Sequence, residues 1–203
     1  MIYELRISRT RLGGQTELEQ RMADALPRRE RHSKLAGAWH TEIGPLFRVI
    51  ELWPYEDDAH YEEVARAVAA DLAWPPNEGN LILSTEVEML TPTPWCQPLD
   101  GSPVRLGPVY ELRNYGIRPG GIPLLLEAWG KALPAREELS PLLGNWHTQS
   151  GKWLHLWPYQ DMNARARVRA EALALGIWPP HSRAALNTQE TWILAPTEFS
   201  PLQ

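Results

Sequence analysis

The chain is written twice, and this internal repeat limits what it can fold into more than any other feature. Tyr3-Glu4-Leu5-Arg6 returns as Tyr110-Glu111-Leu112-Arg113, Arg11-Leu12-Gly13-Gly14 as Arg118-Pro119-Gly120-Gly121, and Ala25-Leu26-Pro27 as Ala132-Leu133-Pro134, all at an offset of 107. Gly37-Ala38-Trp39-His40-Thr41 becomes Gly144-Asn145-Trp146-His147-Thr148 at the same offset. Beyond Gly44 and Gly151 the second copy is three residues shorter, so Leu52-Trp53-Pro54-Tyr55 and Leu156-Trp157-Pro158-Tyr159 stand 104 apart, as do Trp74-Pro75-Pro76 and Trp178-Pro179-Pro180. A solenoid unit runs to about 20–50 residues, so a period near ~100 means two copies of one domain. The copies are expected at 1–91 and 108–203, with the proline-rich segment 92–107 as linker.

Each copy reads as the same order of elements. Ile2 to Ser8 alternates as a strand and Gly13-Gly14 is a turn. Residues 16–32 carry Leu18, Met22, Ala25 and Leu26 at helical spacing, and Pro27, like Pro134 in the second copy, predicts a kink or an end there. Two strands follow at 35–42 and 49–55. Asp57 or Asp58, and Asp161 in the second copy, suit the N-cap of a helix over 58–73 that Pro75-Pro76 stops, and a last strand covers 81–90. The order β-α-β-β-α-β is the ferredoxin-like split unit. Both of its helices cover one side of the sheet, so two copies can bury their bare faces against each other.

Composition narrows the function classes. With 203 residues, 43% hydrophobic, 22% charged and a net charge of −5, the chain is globular, and it lacks the basic field that non-specific nucleic-acid binding draws on. No stretch approaches the ~18 apolar residues of a membrane span, and Met1-Ile2-Tyr3-Glu4-Leu5-Arg6 carries charges where a signal peptide needs an apolar core, so a cytoplasmic location with neither nucleic-acid nor membrane partner is expected. The single cysteine, Cys96, excludes an intrachain disulfide and a cysteine-based zinc site. Dinucleotide, Walker and nucleophile-elbow motifs are absent, and Gly13-Gly14 and Gly120-Gly121 are better explained as turns than as phosphate cradles.

These residues resemble the NIPSNAP family: an opening Tyr-Glu-Leu-Arg strand, the hairpin Gly37-Ala38-Trp39-His40-Thr41-Glu42-Ile43-Gly44, and the junction Leu52-Trp53-Pro54-Tyr55-Glu56-Asp57, with counterparts in order in the second copy. The second hairpin departs from the pattern with Gln149 and Ser150. The resemblance implies an α+β fold in which the tandem ferredoxin-like repeats pack sheet to sheet as a dimeric α+β barrel formed within one chain. It implies little about activity, because families sharing that barrel include cofactor-free monooxygenases, isomerases, lyases, dehalogenases and haem binders.

Side-chain alternation then sorts the candidate residues. If Glu42 faces Val49, His40 faces Glu51 and Trp39 faces Leu52; the offsets place Gln149 opposite Trp153, His147 opposite His155 and Trp146 opposite Leu156. One face collects His40, Glu51, Trp53 and Tyr55, with Glu4, Arg6 and Glu86, and is assigned to the barrel interior. Its counterpart collects His147, Trp153, His155, Trp157 and Tyr159, with Glu111, Arg113, Glu190 and Trp192. The other face, with Tyr3, Leu5, Ile7, Trp39, Ile50, Leu52, Val87 and Met89, is assigned to the helix-packed core.

Buried charges need partners. The plain explanation is that Glu4, Arg6, Glu111 and Arg113 pair with Glu86 and Glu190 and hold the halves together. The functional one is a small-molecule site in the interior: His147, His155 or His40 as general base, Arg6 or Arg113 holding an anionic group, and Trp53, Trp153, Trp157 and Trp192 stacking a planar ligand. Glu51 beside His40 raises that pKa, while His155 beside His147 keeps His147 available as a base. His147, His155, Glu111 and Glu190 match a first-row metal by ligand type alone, without a motif, so no cofactor or metal is assigned. The basic run Arg28-Arg29-Glu30-Arg31-His32 reads as a solvated helix end. The expectation is a small-molecule-binding protein, acting on a small planar organic acid or polyketide-like substrate as a cofactor-independent monooxygenase, isomerase or lyase; the alternative is a non-catalytic binding or scaffold protein. Either is compatible with self-association into a homo-oligomer.

Overall fold

A computed structural model describes residues 1–71, 74 and 79–203. The first copy supplies β1 (Ile2–Thr10), α1 (Gln15–Arg29), β2 (Gly37–Ile43), β3 (Arg48–Tyr55), α2 (Asp58–Ala70) and β4 (Ile82–Pro92). The second supplies β5 (Val109–Ile117), α3 (Ile122–Glu137), β6 (Gly144–His147), β7 (Lys152–Tyr159), α4 (Met162–Ala174) and β8 (Leu186–Pro196). Both copies adopt the expected β-α-β-β-α-β order. The fold is α+β. The expected stop at Pro75-Pro76 lies outside the described residues.

The chain forms two compact units. The first holds Met1–Leu90, Pro98–Arg105 and Leu194–Gln203, with β1 between β3 and β4 and with β2 beyond β3. Its C-terminal segment is stitched to β2, where the Thr197 N–H donates to the Ala38 carbonyl at 3.0 Å and the Ala38 N–H donates to Ser200 Oγ at 3.0 Å. The second holds Thr91–Gln97 and Leu106–Ile193, with β7 between β5 and β6, and with Thr91 and Pro92 paired to His147 and Trp146 of β6. The last strand of each repeat thus continues past its own unit.

Local chemistry accounts for the recurring motifs. Asp57 and Asp161 cap α2 and α4 as expected, accepting the backbone N–H of His60 at 2.9 Å and of Ala164 at 2.6 Å. In Gly-x-Trp, the indole folds back over the glycine two residues earlier, so a Cβ at Gly37 would run into the Trp39 ring, and one at Gly144 into that of Trp146. Pro27 and Pro134 do not end their helices. Each helix continues far enough to carry an arginine, Arg29 or Arg136, which is 5% or 2% exposed.

Two expectations about the sheets are corrected. The hairpin registers sit two residues away: Ala38 faces Glu51 and His40 faces Val49, while Asn145 faces His155 and His147 faces Trp153. An even shift keeps every residue on its expected face, because the side-chain period of a strand is two. The second correction is which face the helices cover. Ala38, Val49, Trp53 and Tyr55 pack with Leu18 and Met22 of α1 and Val64 of α2, and Trp153, Trp157 and Tyr159 pack with Leu125, Trp129 and Leu133 of α3. The polar-aromatic face assigned to the barrel interior therefore lies beneath the helices of its own repeat. The faces were reversed because the helices bring their own polar partners, Arg29 and Arg136, under the sheet, and because the all-apolar face is buried as well, with Tyr3 and Leu52 each 1% exposed.

Candidate functional site

In the first repeat the charged side chains pair largely with one another. Arg6 Nη1 donates to Glu4 Oε1 at 2.8 Å, and its Nε is 3.9 Å from Glu51 Oε2. The Arg29 guanidinium lies 3.9 Å above the Trp53 ring and donates to the Tyr55 hydroxyl at 3.0 Å, which donates onward to Glu4 at 3.2 Å. Two carboxylates thus meet two guanidinium groups. Burial pushes the Glu51 carboxyl up to about 7 against the pull of Arg6. The Trp53 indole N–H donates to Glu51 at 3.3 Å.

The second repeat keeps this skeleton and changes its charge. Glu111, Arg113, Arg136, Trp157 and Tyr159 take the positions of Glu4, Arg6, Arg29, Trp53 and Tyr55. His155 stands where the first copy has Glu51, and Arg165 and Arg169 of α4 replace Tyr61 and Ala65. Glu111, 1% exposed, accepts from Arg113 at 3.0 Å, from Arg165 at 2.7 Å and from Arg169 at 3.5 Å. Burial opposes its ionisation, yet the Arg165 hydrogen bond and the charges of Arg169 and Arg113 outweigh burial and hold its carboxyl below the usual range. Arg136 lies 4.2 Å over the Trp157 ring and donates to the Tyr159 hydroxyl at 3.2 Å.

These residues surround a cavity of about 370 Å³ between the sheet and the helices of this repeat. Its walls include Tyr115, Trp129, Trp157 and Trp178, and its charged lining is one glutamate, Glu111, against Arg113, Arg136, Arg169 and Arg183. His155 forms part of the wall; burial first, and then the charges of Arg113, Arg169 and Arg136, hold its pKa well below the ordinary histidine value. The ring is therefore neutral.

Of the residues singled out from sequence, the structure gathers Glu111, Arg113, His155, Trp157 and Tyr159 around this cavity, and Glu4, Arg6, Glu51, Trp53 and Tyr55 into the first-repeat network. Trp153 is fully buried, packed edge-on against Trp129 at 5.4 Å. Glu86 pairs with Ile7, which puts it on the face away from Arg6, and it is exposed. Val87 and Met89 therefore share the face of Arg6 and Glu4, the reverse of expectation. Gln189 lines the cavity, so alternation turns the neighbouring Glu190, which is exposed, and the half-buried Trp192 to the other side. The four residues matched to a metal by type are not brought together, and no group of three His, Cys, Asp or Glu among the described residues is placed to hold one.

Sequence reasoning missed Arg29 and Arg136, since Arg28-Arg29 reads as a solvated end. The available signal was an arginine two residues after the same proline in both copies. It also missed Arg165 and Arg169, whose i,i+4 spacing puts both on one face of α4.

The two imidazoles of the repeated Trp-His-Thr differ as expected, with a different partner. His40 Nδ1 lies 3.1 Å from Glu19 of α1 and Nε2 lies 3.0 Å from Glu42, so its pKa is raised by the close contact with Glu19 first, against burial, and then by Glu42. Glu51 has no part in this. Burial alone lowers His147. NMR titration should therefore give His40 the higher pKa, with Glu19→Gln removing most of the gap. A folded-state value raised above 6.5 makes this contribution to stability complete below that pH and lost as pH rises through the folded value. A His40 that titrates below His147 would refute the pairing.

The fold and the cavity together define a tandem α+β protein with a ligand-sized space in its second repeat. The NIPSNAP family model matches residues 3–97 and 110–201, nearly the whole of both copies. Protein NipSnap homolog 3B of Mus musculus is 33% identical, the match covering 99% of this chain and 85% of that one. Protein NipSnap homolog 3A of Homo sapiens is 33% identical over 86% of this chain and 75% of its own. The chain belongs to the NIPSNAP family. Among solved structures, an anthrone oxidase-like protein aligns with a TM-score of 0.64 over 98% of this chain and 93% of its own at 10% identity, a likeness of fold. No helix among the described residues is long and apolar enough to cross a membrane.

Proposed function

We propose that the second repeat binds a small planar organic anion in its cavity, and that the matching residues of the first repeat form a structural network. One observation carries this reading: the charged lining has four arginines against one glutamate beside three tryptophans, whereas the first-repeat network balances two carboxylates with two arginines. Arg136 is buried and Arg113 partly so, and positive charge partly withdrawn from water is costly unless an anion answers it, while guanidinium groups match a carboxylate in bidentate geometry. At about 370 Å³ the cavity is at the lower end of the ~300–1,000 Å³ of small-molecule sites, which suits one or two fused rings. Conversion of the bound acid without a cofactor, the enzymatic half of the expectation, would involve His155, the imidazole of the cavity wall, rather than His147. The non-catalytic alternative uses the same cavity.

Calorimetry with 2-naphthoate and with its cationic counterpart 2-naphthylmethylamine separates shape from charge. The naphthoate should bind and the amine should not, with Arg169→Ala weakening naphthoate by at least ~10-fold, equivalent to about 1.4 kcal/mol. Arg6→Ala in the first repeat should leave binding unchanged. Equal affinity for acid and amine, or equal damage from Arg6→Ala, would overturn the assignment.

A further inference from the structure

We infer that the second-repeat cavity takes its ligand ring end first and holds the anionic group at the mouth, against Arg169 and Arg183, so that its ligands are elongated aromatic acids charged at one end only. The inference rests on the anion-binding reading above and adds which end of the ligand enters.

Exposure grades the lining from floor to mouth. Trp129, His155 and Trp157 are each 2% exposed, whereas Arg169, Leu173, Arg183 and Gln189 face solvent. The guanidinium groups divide in the same way. Buried Arg136 donates from Nη1 to the Ser140 carbonyl at 3.1 Å and from Nη2 to the Tyr159 hydroxyl at 3.2 Å, and Arg113 is paired with Glu111 at 3.0 Å. The Arg169 side chain, 41% exposed, reaches Glu111 only at 3.5 Å. The Arg183 side chain forms no hydrogen bond or ion pair among the described residues. An incoming anion therefore meets accessible donors at the mouth and committed ones on the floor.

The differences between the copies follow the same gradient. Tyr115, Trp129 and His155 stand where the first copy has Ser8, Met22 and Glu51, while Arg169 and Arg183 stand where it has Ala65 and Gly79. Rings have been added inside and arginines outside. The exchange of Glu51 for the neutral His155 also removes a carboxyl group from the floor. Arg113, Arg136, Trp157 and Tyr159 have counterparts in the first-repeat network, so they do not set the second repeat apart. A flat ring gains from burial among aromatic side chains, whereas a carboxylate carried to the floor loses its water. At the mouth the anion keeps part of its hydration and accepts charge-assisted hydrogen bonds from two elements, α4 through Arg169 and the turn before β8 through Arg183. Gln189 adds an exposed amide there. The far end of the ligand must then be uncharged.

Calorimetry on the whole chain with 2-naphthoate and naphthalene-2,6-dicarboxylate separates the two orientations. With one carboxylate at the mouth, the dicarboxylate must bury its other one, so wild-type protein should bind 2-naphthoate at least ~10-fold more tightly. Arg183→Ala should weaken 2-naphthoate at least ~5-fold, and Arg183→Lys should keep most of the affinity. Neither change should move the melting temperature, because this side chain holds no partner among the described residues. Raising sodium chloride from about 50 to about 500 mM should weaken wild-type binding, and should do so less in Arg183→Ala, as a solvent-facing ion pair is screened. A dicarboxylate that binds as tightly as the monoacid, or 2-naphthoate affinity unchanged by Arg183→Ala, overturns the orientation and leaves the anion site standing. Failure of both acids to bind wild-type protein overturns the anion-site reading, and the orientation with it.

Discussion

Replacing Glu111 by alanine is expected to cost about 3–5 kcal/mol of stability near pH 7, the loss typical of removing one partner from a buried ion pair. Glu111 is 1% exposed and is the shared acceptor of Arg113, Arg165 and Arg169. Without it, the largely buried Arg113 keeps its charge with no counterion, and Arg165 and Arg169 lose the acceptor that holds them to the sheet. The sign of the pH dependence follows from a folded-state carboxyl held below 4.5: its contribution is present above that pH and is lost as pH falls through the folded value. Urea unfolding of Glu111→Ala should therefore differ most from wild type near neutrality and converge in acid. A loss under ~1 kcal/mol at pH 7 would give the cluster the weight of a surface pair.

Glu51→Gln is expected to do the opposite and raise stability at pH 8 by about 3–4 kcal/mol, given ~1.4 kcal/mol per unit of displaced pKa over the interval from 4.5 to about 7. The buried Glu51 carboxyl titrates at about 7 rather than 4.5. The unfolded chain releases this proton first, so stability falls as pH rises between those values, and the penalty is complete above about 7. Glutamine keeps an oxygen for the Trp53 indole N–H and has no charge to desolvate. The gain should shrink toward zero below pH 4.5. A variant less stable than wild type at pH 8 would mean that Glu51 is ionised and usefully paired with Arg6.

Much of the architecture was legible because it is written in local terms. An exact offset of 107 pairs Tyr3-Glu4-Leu5-Arg6 with Tyr110-Glu111-Leu112-Arg113, and Asp57 and Asp161 cap helices through bonds that span three residues. Alternation correctly put Glu51 with Trp53, and His155 with Trp157, on one face. What it could not supply was which side of the sheet the helices cover, since both faces of β3 are buried: Ile50 and Leu52 on one, Glu51 and Trp53 on the other. The register missed by two because hairpin length, rather than face, fixes which residues stand opposite, and the two hairpins turn differently. In the first, Gly44 and Phe47 both adopt positive φ, at 125° and 58°, while the second turns through Gly151 at 84°. The arginines were hidden for a tertiary reason. Arg29, Arg136, Arg165 and Arg169 lie on helices, where arginine is ordinary, and only docking reveals that they converge on the sheet.

Between the copies, the skeleton of glutamate, two arginines, tryptophan and tyrosine stays constant, while Glu51, Tyr61 and Ala65 give way to His155, Arg165 and Arg169. These exchanges, with Arg183 where the first copy has Gly79, accompany the change from a charge-paired network to an electropositive cavity. The most direct measurement is the electron density of a crystal grown with saturating 2-naphthoate. The ring should lie among Trp129, Trp157 and Trp178 with its carboxylate within salt-bridge distance of Arg113, Arg136 or Arg169. Naphthoate seated against the Glu4, Arg6 and Arg29 network of the first repeat, or a cavity in the second repeat left empty at saturation, would contradict the division of labour between the two copies.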